Sequence, residues 1–350
     1  MVTQHFMINS IASDMSSIAE ASVALVVTSP PYPMIEMWDN CFCAQDSEIE
    51  KDLQNGRAMS AFERMHKILD QVWQEIDRVL IPGGIVCINI GDATRTAAGV
   101  FQMFPNHNRI ISAFHKMGYC VLPDIIWRKP SNSPNKFMGS GMYPAGAYVT
   151  YEHEYILIFR KGGKRVFNAD KNMRQRSAYF WEERNIWFSD LWDIKGTRQK
   201  TANETGRGRS AAFPFEIPYR LINMYSILGD TVLDPFAGTG TTLLAAMAAG
   251  RNSIGIDIDP TFVSHSISSM QKDPQLLNRH TEARIQMHQC FIKSLSQEQQ
   301  EKCYQNENYP FLVKTKQEVK AYFPIISESR PLKNGVCCRY QSITMPPDSV

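Results

Sequence analysis

A glycine-rich segment behind an apolar strand gives the first sign of chemistry in this sequence. Residues 233–242 read LDPFAGTGTT, and a helical pattern follows them. Gly238 and Gly240 let the backbone bend tightly and approach a ligand without Cβ atoms in the way. The next strand ends at Asp257, where a carboxylate can accept hydrogen bonds from both hydroxyls of a ribose. The pattern predicts a nucleoside site.

Three features narrow the choice of nucleoside. No lysine follows the glycines, as a phosphate-binding P-loop requires, and Leu243 stands where the dinucleotide fingerprint has its third glycine. Asp234, at the strand end, would repel a phosphate but suits the ammonium group of an amino-acid ligand. A ribose partner together with an ammonium partner fits S-adenosylmethionine.

A second motif, TSPPYP at residues 28–33, also ends an apolar strand. The amino group of a base is a poor nucleophile, so attack on a methyl group needs acceptors that hold the amino hydrogens. Ser29 offers a hydroxyl, and Pro30 offers a carbonyl whose direction is fixed by the locked φ angles of Pro30 and Pro31. Tyr32 offers a ring on which an extruded base can stack. Taken alone, the motif is better explained as a rigid loop.

Positive charge is concentrated between residues 160 and 210, which hold 13 Lys or Arg and six Asp or Glu in a chain of net charge +2. Seven aromatic residues lie in the same segment. Cations for phosphates and rings for bases are typical of a nucleic-acid surface. The alternative is a solvated loop with core aromatics. The first interpretation predicts phosphate contacts by Arg160, Lys161, Lys164, Arg165, Arg174 and Arg176.

Apolar runs and helical periodicities alternate along the chain and predict an α/β fold. We expect strands over 24–27, 84–90, 120–127, 154–160, 231–233 and 253–256, and helices over 60–80, 215–228 and 241–249. Ser60 and Glu63 predict a capping box for the first helix. The Pro-, Ser-, Asn- and Gly-rich stretch 130–146 predicts a long loop.

Composition excludes several classes of protein. The 350 residues are 43% hydrophobic and 21% charged, as in ordinary globular proteins. No apolar run of eighteen residues occurs, and the first twenty residues lack an export pattern, so we expect a cytoplasmic protein that does not contact a membrane. The eight cysteines show no C-x-x-C spacing and no neighbouring histidine cluster, which predicts reduced thiols and no metal site.

Together the two motifs resemble those of the amino-methylating DNA methyltransferases. TSPPYP is similar to their catalytic motif, in the serine form typical of cytosine-N4 enzymes, and DPFAGTGTT is similar to their cofactor motif. Residues 209–215 resemble the segment that completes the methionine pocket, and HEYILIFRK at 153–161 resembles a further family strand. The order of the motifs is the permuted one of the β-class. Asn9 and Ser10 stand where members often have Gly-Asp-Ser, so no acidic adenine contact is expected there.

The resemblance, over about residues 7–270, implies a Rossmann-like S-adenosylmethionine-dependent methyltransferase fold. Its sheet would be mixed, mostly parallel and seven-stranded, with helices on both faces. The catalytic part would be 1–161, the target recognition insertion 162–208 and the cofactor-binding part 209–275, leaving 276–350 as an extension of unknown role. Ser29, Pro30, Pro31 and Tyr32 would be catalytic. The cofactor would contact Phe213, Pro214, Asp234, Pro235, Phe236, Gly238, Thr239, Gly240, Thr241 and Asp257.

These inferences predict direct transfer of a methyl group from S-adenosylmethionine to N4 of a flipped-out cytosine in double-stranded DNA. No metal or covalent intermediate is needed, because the sulfonium carbon is already electrophilic. Adenine N6 or RNA as the target, a catalytically silent DNA-binding regulator and a nicotinamide dehydrogenase are the alternatives. A cognate restriction endonuclease and a homodimer stay open.

Overall fold

A ten-stranded sheet organises the protein in the computed structural model, which describes residues 1–129, 138–139, 143–149, 151–167, 170–196 and 213–343. Strands are numbered in chain order. From edge to edge the sheet contains β10 (Leu191–Asp193), β6 (Cys120–Arg128), β9 (His153–Arg160), β3 (Leu80–Ile90), β2 (Val23–Thr28), β11 (Thr231–Asp234), β12 (Asn252–Asp257), β1 (Val2–Asn9), β16 (Gly335–Ser342) and β15 (Pro324–Leu332).

Short strands form three separate antiparallel pairs. These are β4 (Ala93–Ala97) with β5 (Val100–Phe104), β7 (Met138–Gly139) with β8 (Ala147–Tyr148), and β13 (Tyr304–Gln305) with β14 (Leu312–Val313). The helices are α1 (Asp39–Cys43), α2 (Glu48–Gln54), α3 (Ala58–Val79), α4 (Asn106–Lys116), α5 (Lys171–Arg176), α6 (Trp181–Trp187), α7 (Glu216–Tyr225), α8 (Thr241–Ala248), α9 (Pro260–Met270), α10 (Gln275–Ser294) and α11 (Gln297–Glu301). No helix in these ranges is long and apolar enough to cross a membrane.

The five central strands β3, β2, β11, β12 and β1 run parallel to one another. Their last residues therefore meet at one side of the sheet, here called the carboxyl edge, and the opposite side is the amino edge. β9 runs antiparallel to β3, so it begins at the carboxyl edge and ends at the amino edge. In sheets of this kind, ligands bind outside the carboxyl ends of the strands.

Helices cover both faces of the sheet. Along β2 every residue is buried, as expected for a parallel strand between two layers. Val26 packs in the cluster that contains α3 and α4, whereas Leu25 and Val27 pack in the cluster that contains α7 and α8. This alternation follows from the two-residue period of a strand.

The sheet contains three strands more than the seven expected. β10 extends one side, and the hairpin of β15 and β16 extends the other by pairing with β1. The sequence predicted no element there, because β15 contains Pro324 and Pro331, and proline is tolerated only at sheet edges. β15 is such an edge.

The structure differs from the sequence prediction at the start of α3. The capping box at Ser60 and Glu63 is wrong: α3 begins at Ala58 without a side-chain cap, and Ser60 Oγ instead donates to Asp52. Asp52 also accepts from Arg57, so a buried carboxylate holds the start of α3 from outside the helix. Of the loop predicted over 130–146, residues 130–137 and 140–142 lie outside the described ranges.

The segment from α5 to β10 packs against the C-terminal part of the chain. Phe180 stacks on His288 of α10 with ring centroids 3.7 Å apart, and it also contacts Phe323. Beside it, Glu183 of α6 forms a buried ion pair with Arg284 of α10, with N···O distances of 2.6 and 2.8 Å. The C-terminal residues are thus part of the core that positions this segment.

Candidate active site

The two sequence motifs meet at the carboxyl edge. β2 and β11 are adjacent, with Val26 opposite Leu233. At their ends, Thr28 Oγ1 donates a hydrogen bond of 2.6 Å to Asp234 Oδ1. The segment that begins at Ser29 and the glycine turn after Asp234 therefore leave the sheet side by side.

Asp234 lies beneath the glycine turn and is only 2% exposed. Its second oxygen accepts from Thr242 Oγ1 at 2.6 Å, and the backbone N–H of Phe236 donates to the first at 3.1 Å. Burial raises the pKa of the Asp234 carboxyl to about 6, although these three donors act in the opposite direction. Thr28, Thr242 and the Phe236 N–H thus share a carboxylate that is almost fully buried, and the contact with a ligand ammonium stays a prediction.

The two glycines of the turn have different roles. Gly240 has φ +84°, and a Cβ there would overlap Ser266 Oγ on α9. Gly238 has φ +50°, but a Cβ there would meet no atom within 4 Å. Gly240 is therefore required by internal packing, whereas Gly238 faces open space in which a ligand fits.

Asp257 closes this site from the end of β12. Its oxygens accept from the backbone N–H groups of Gly238 and Asp259, each at 2.9 Å, and burial raises its pKa above the usual value. Each oxygen keeps capacity for a second donor, such as a ribose hydroxyl. Ile258 beside it is 60% exposed and offers apolar surface to a nucleobase. Asn9 donates to the carbonyls of Asp257 and Ile258, so it supports this loop.

These features fit S-adenosylmethionine: an acidic strand end for the ribose, an exposed apolar side chain, and a turn that is open at Gly238. The other predicted cofactor contacts in the turn are Pro235, Phe236, Thr239 and Thr241, and all lie between the end of β11 and the start of α8. Phe213 and Pro214 are buried and lie just before α7. Residues 209–212 of the predicted methionine segment are outside the described ranges.

Ser29 and Tyr32 form one hydrogen-bonded unit at the mouth of the site. Ser29 Oγ lies 3.1 Å from the Tyr32 hydroxyl. After Tyr32 the chain turns, since the N–H of Ile35 donates to the Tyr32 carbonyl and Met34 has φ +66°. Pro33 followed by a positive φ is typical of a type II turn, which usually has glycine in the second place. A buried methionine held there indicates local strain at a functional loop.

Three residues that the sequence interpretation missed complete this unit. The Tyr32 hydroxyl donates to Glu154 Oε2 at 2.9 Å, and Asn89 Nδ2 donates to both, at 2.8 Å to the phenol and 2.7 Å to the carboxylate. Lys129 forms an ion pair with the other oxygen of Glu154. Burial raises the pKa of the Tyr32 phenol well above its usual value, and the charge of Glu154 adds to the shift. The sequence contains a signal for one of these residues, because Asn89 is a polar residue near the end of the apolar strand β3.

The predicted DNA contacts are not brought to this edge. Arg160 is opposite Ile85 near the start of β3, and Lys161 donates to the carbonyls of Asp77 and Leu80. Arg165 forms a two-bond ion pair with Asp230, which precedes β11, at 2.7 and 2.9 Å. All are therefore at the amino edge, as is the intervening Lys164.

The remaining predicted contacts also have partners within the protein. Arg174 lies over the ring of Phe167, and Arg176 lies over the ring of Tyr322. Three of the seven aromatic residues proposed for bases are buried in the core, namely Phe180, Trp187 and Trp192. For these three, the alternative of core aromatics is correct. The DNA contacts stay a prediction that this placement does not favour.

Comparison with known proteins identifies the family. The model of the DNA methylase family of N6 and N4 methyltransferases matches residues 23–268. The chain belongs to this family. The N6/N4 DNA methylases act with S-adenosylmethionine, and the protein is accordingly an S-adenosylmethionine-dependent DNA methyltransferase.

Individual relatives of this N6/N4 methylase match over most of their length. The Type II methyltransferase M.MthZI of Methanothermobacter thermautotrophicus is 51% identical over 330 residues, 93% of this chain and 92% of the relative. The Type II methyltransferase M.MjaI of Methanocaldococcus jannaschii is 53% identical over 74% of this chain and 88% of the relative. A solved structure of a putative DNA modification methylase from Thermus thermophilus, complexed with S-adenosyl-L-methionine, is 33% identical with a TM-score of 0.59, covering 76% and 92% of the two chains.

Proposed function

We propose that the protein transfers the methyl group of S-adenosylmethionine to N4 of a cytosine extruded from double-stranded DNA. The bond between Thr28 and Asp234 carries the proposal, because it fixes the base-binding motif next to the cofactor turn. Ser29 in the first catalytic position favours cytosine, since the serine form is the one the resemblance associates with N4 enzymes.

In this proposal, two acceptors, Ser29 Oγ and the Pro30 carbonyl, receive the amino hydrogens and draw the nitrogen toward tetrahedral geometry. Tyr32 stacks on the base and offsets part of the few kcal/mol that extrusion costs. Asp257 holds the ribose of the cofactor, and Gly238 leaves room for it. Bound S-adenosylmethionine would supply the electrophilic methyl carbon and leave as S-adenosylhomocysteine, and the methylated nitrogen would release one of its protons.

We further propose that the protein has the role indicated by the names of its relatives, that of a Type II methyltransferase protecting DNA from a cognate endonuclease. Its similarity to two such proteins over most of their length supports this role. A preparation of the protein would then protect its recognition site against one restriction activity.

Incubation with labelled S-adenosylmethionine and unmethylated DNA, followed by nucleoside mass spectrometry, tests the proposal. The expected product is N4-methylcytosine. N6-methyladenine would replace the cytosine assignment, whereas binding of cofactor and DNA without any methylated nucleoside would favour the silent regulator.

A further inference from the structure

Glu154 terminates a chain of hydrogen bonds that begins at Ser29. The chain runs from Ser29 Oγ to the Tyr32 hydroxyl at 3.1 Å and from that hydroxyl to Glu154 Oε2 at 2.9 Å. Lys129 is ion-paired with the other carboxylate oxygen. The side chain of Glu154 is only 14% exposed. Such a buried network fixes its members more firmly than single surface contacts do.

The direction of each bond in this chain follows from the number of protons available. A carboxylate only accepts, so the single phenolic proton of Tyr32 is committed to Glu154. The contact between Ser29 and Tyr32 must then use the proton of Ser29. As a result, Ser29 Oγ can accept a hydrogen bond from a substrate but has no proton left to donate to it.

Asn89 reinforces the same direction. Its amide nitrogen donates to the Tyr32 phenol and to Glu154, and it makes a longer contact of 3.5 Å with Ser29 Oγ, in which Ser29 is again the acceptor. Its Oδ1 is buried and has no hydrogen-bond partner among the described residues. If the Asn89 amide were rotated by 180°, its oxygen would face the Glu154 carboxylate, and the two acceptors would repel each other. The charge of Glu154 therefore selects the amide orientation at the expense of one unsatisfied acceptor.

We propose that Glu154 is a positioning residue that acts through Tyr32 to hold Ser29 as a hydrogen-bond acceptor, so that the site takes a base with an amino group and rejects one with a carbonyl in its place. This inference rests on the proposed function and deepens it. An amino group donates to such a Ser29, whereas a carbonyl presents a second acceptor and leaves two lone pairs facing each other. The network thus supplies specificity for the edge of the base that reacts.

Glu154→Gln tests the inference because it changes polarity with little change in shape. Lys129 can only donate, so it retains the amide oxygen and turns the new NH₂ group toward Tyr32. The phenolic proton is then no longer bound to Glu154 and is available to Ser29. We expect methyl transfer in a single turnover to slow by about tenfold or more, with cofactor affinity unchanged.

The decisive readout is base preference. Wild-type protein is first used to identify its product and site, and duplexes are then made with cytosine or uracil at the target position. Wild type should bind the cytosine duplex more tightly, and Glu154→Gln should reduce this preference, whereas Glu154→Asp should retain it. Glu63→Gln, at a surface ion pair with Arg109, is the matched control and should behave as wild type.

Tyr32→Phe is a second test if Glu154→Gln folds poorly, because it removes the hydroxyl that links Ser29 to Glu154. It should reduce the preference as Glu154→Gln does, and the double variant should add little. An unchanged preference in a folded variant of either kind overturns the inference. If wild type yields N6-methyladenine, the cytosine proposal fails separately, and the comparison moves to adenine and hypoxanthine duplexes.

Discussion

Thr28 and Asp234 are 206 positions apart in the chain and are joined by a 2.6 Å hydrogen bond at the ends of two adjacent parallel strands. The bond connects the segment proposed to hold the base with the turn proposed to hold the cofactor. Because Asp234 also accepts from Thr242, the first turn of α8 is tied to the same carboxylate. Both halves of the transfer reaction therefore share one rigid support.

Ser29→Ala removes the proposed hydroxyl acceptor for the amino group. We expect the rate of methyl transfer in a single turnover to fall by about 100-fold, since a group that acts mainly in the transition state is lost. Cofactor affinity, measured by calorimetry, should not change. Ser22→Ala, at the other end of the same strand, is the control. Full turnover by Ser29→Ala would rule out the acceptor role.

Tyr32→Ala removes the surface on which the extruded base is proposed to stack. Stacking of a base on an aromatic side chain contributes about 1–3 kcal/mol, so DNA affinity should decrease. With 2-aminopurine at the target position, the fluorescence increase that accompanies extrusion should be smaller. Tyr32→Phe retains the ring and should preserve the fluorescence change. Equal signals from the alanine variant and wild type would contradict the stacking role.

Asp234 predicts a specific dependence of stability on pH. Its folded pKa of about 6 exceeds the reference value of 3.8, so the folded state binds the proton more tightly than the unfolded state does. The contribution of this carboxyl is therefore most favourable below pH 4, and about 3 kcal/mol is lost as the pH rises to 6. Subtracting the denaturation profile of Asp234→Asn from that of wild type isolates this effect. A difference that is flat between pH 4 and 6 would show that the carboxyl has an ordinary pKa.

The two glycines of the turn predict opposite defects. Gly240→Ala places a methyl group against Ser266 at positive φ, so it should lower the free energy of unfolding by about 1–3 kcal/mol. Gly238→Ala also places alanine at positive φ, which should cost about 1–2 kcal/mol, but its methyl group meets no protein atom within 4 Å and the variant should fold. The methyl group enters the proposed cofactor site and should abolish binding. Thermal unfolding and calorimetry on both variants check this. Normal cofactor binding by Gly238→Ala would move the site elsewhere.

The edge of the sheet decides which basic residues we expect to contact DNA. Arg128 ends β6 at the carboxyl edge, where it is 55% exposed and forms a surface ion pair with Asp193, whereas Lys164 is exposed at the amino edge. Arg128→Ala should weaken DNA binding and reduce the slope of log affinity against log salt by about one. Lys164→Ala should leave both unchanged. A loss of affinity in Lys164→Ala but not in Arg128→Ala would instead support the DNA contacts predicted for the basic segment.

Local patterns predict much of the central fold, although β1, one of its five parallel strands, was not predicted. β2, β11, α8 and β12 follow from runs of apolar residues and a glycine turn, and the structure has all four. The edge hairpin of β15 and β16 was missed, because it is stabilised by pairing with the distant β1 and not by its own pattern. Propensity alone does not contain such tertiary partners.

The candidate site divides in the same way. Residue types and spacing predict roles for Ser29, Gly238 and Asp257, but not the partners that Asn89 and Glu154 provide from neighbouring strands. The charge count located a basic segment, yet it could not tell which edge of the sheet receives Arg165. That depends on the ion pair with Asp230, 65 positions away.

The buried pair of Glu183 and Arg284 limits how the predicted recognition insertion, residues 162–208, could be exchanged between members of this family. A graft of residues 162–208 alone would replace Glu183 and Phe180 while Arg284 and His288 stayed in the host. An uncompensated guanidinium would then be enclosed in an aromatic interior, a situation that proteins rarely tolerate. A transplanted segment would therefore need the matching surface of α10, and natural recombination faces the same constraint.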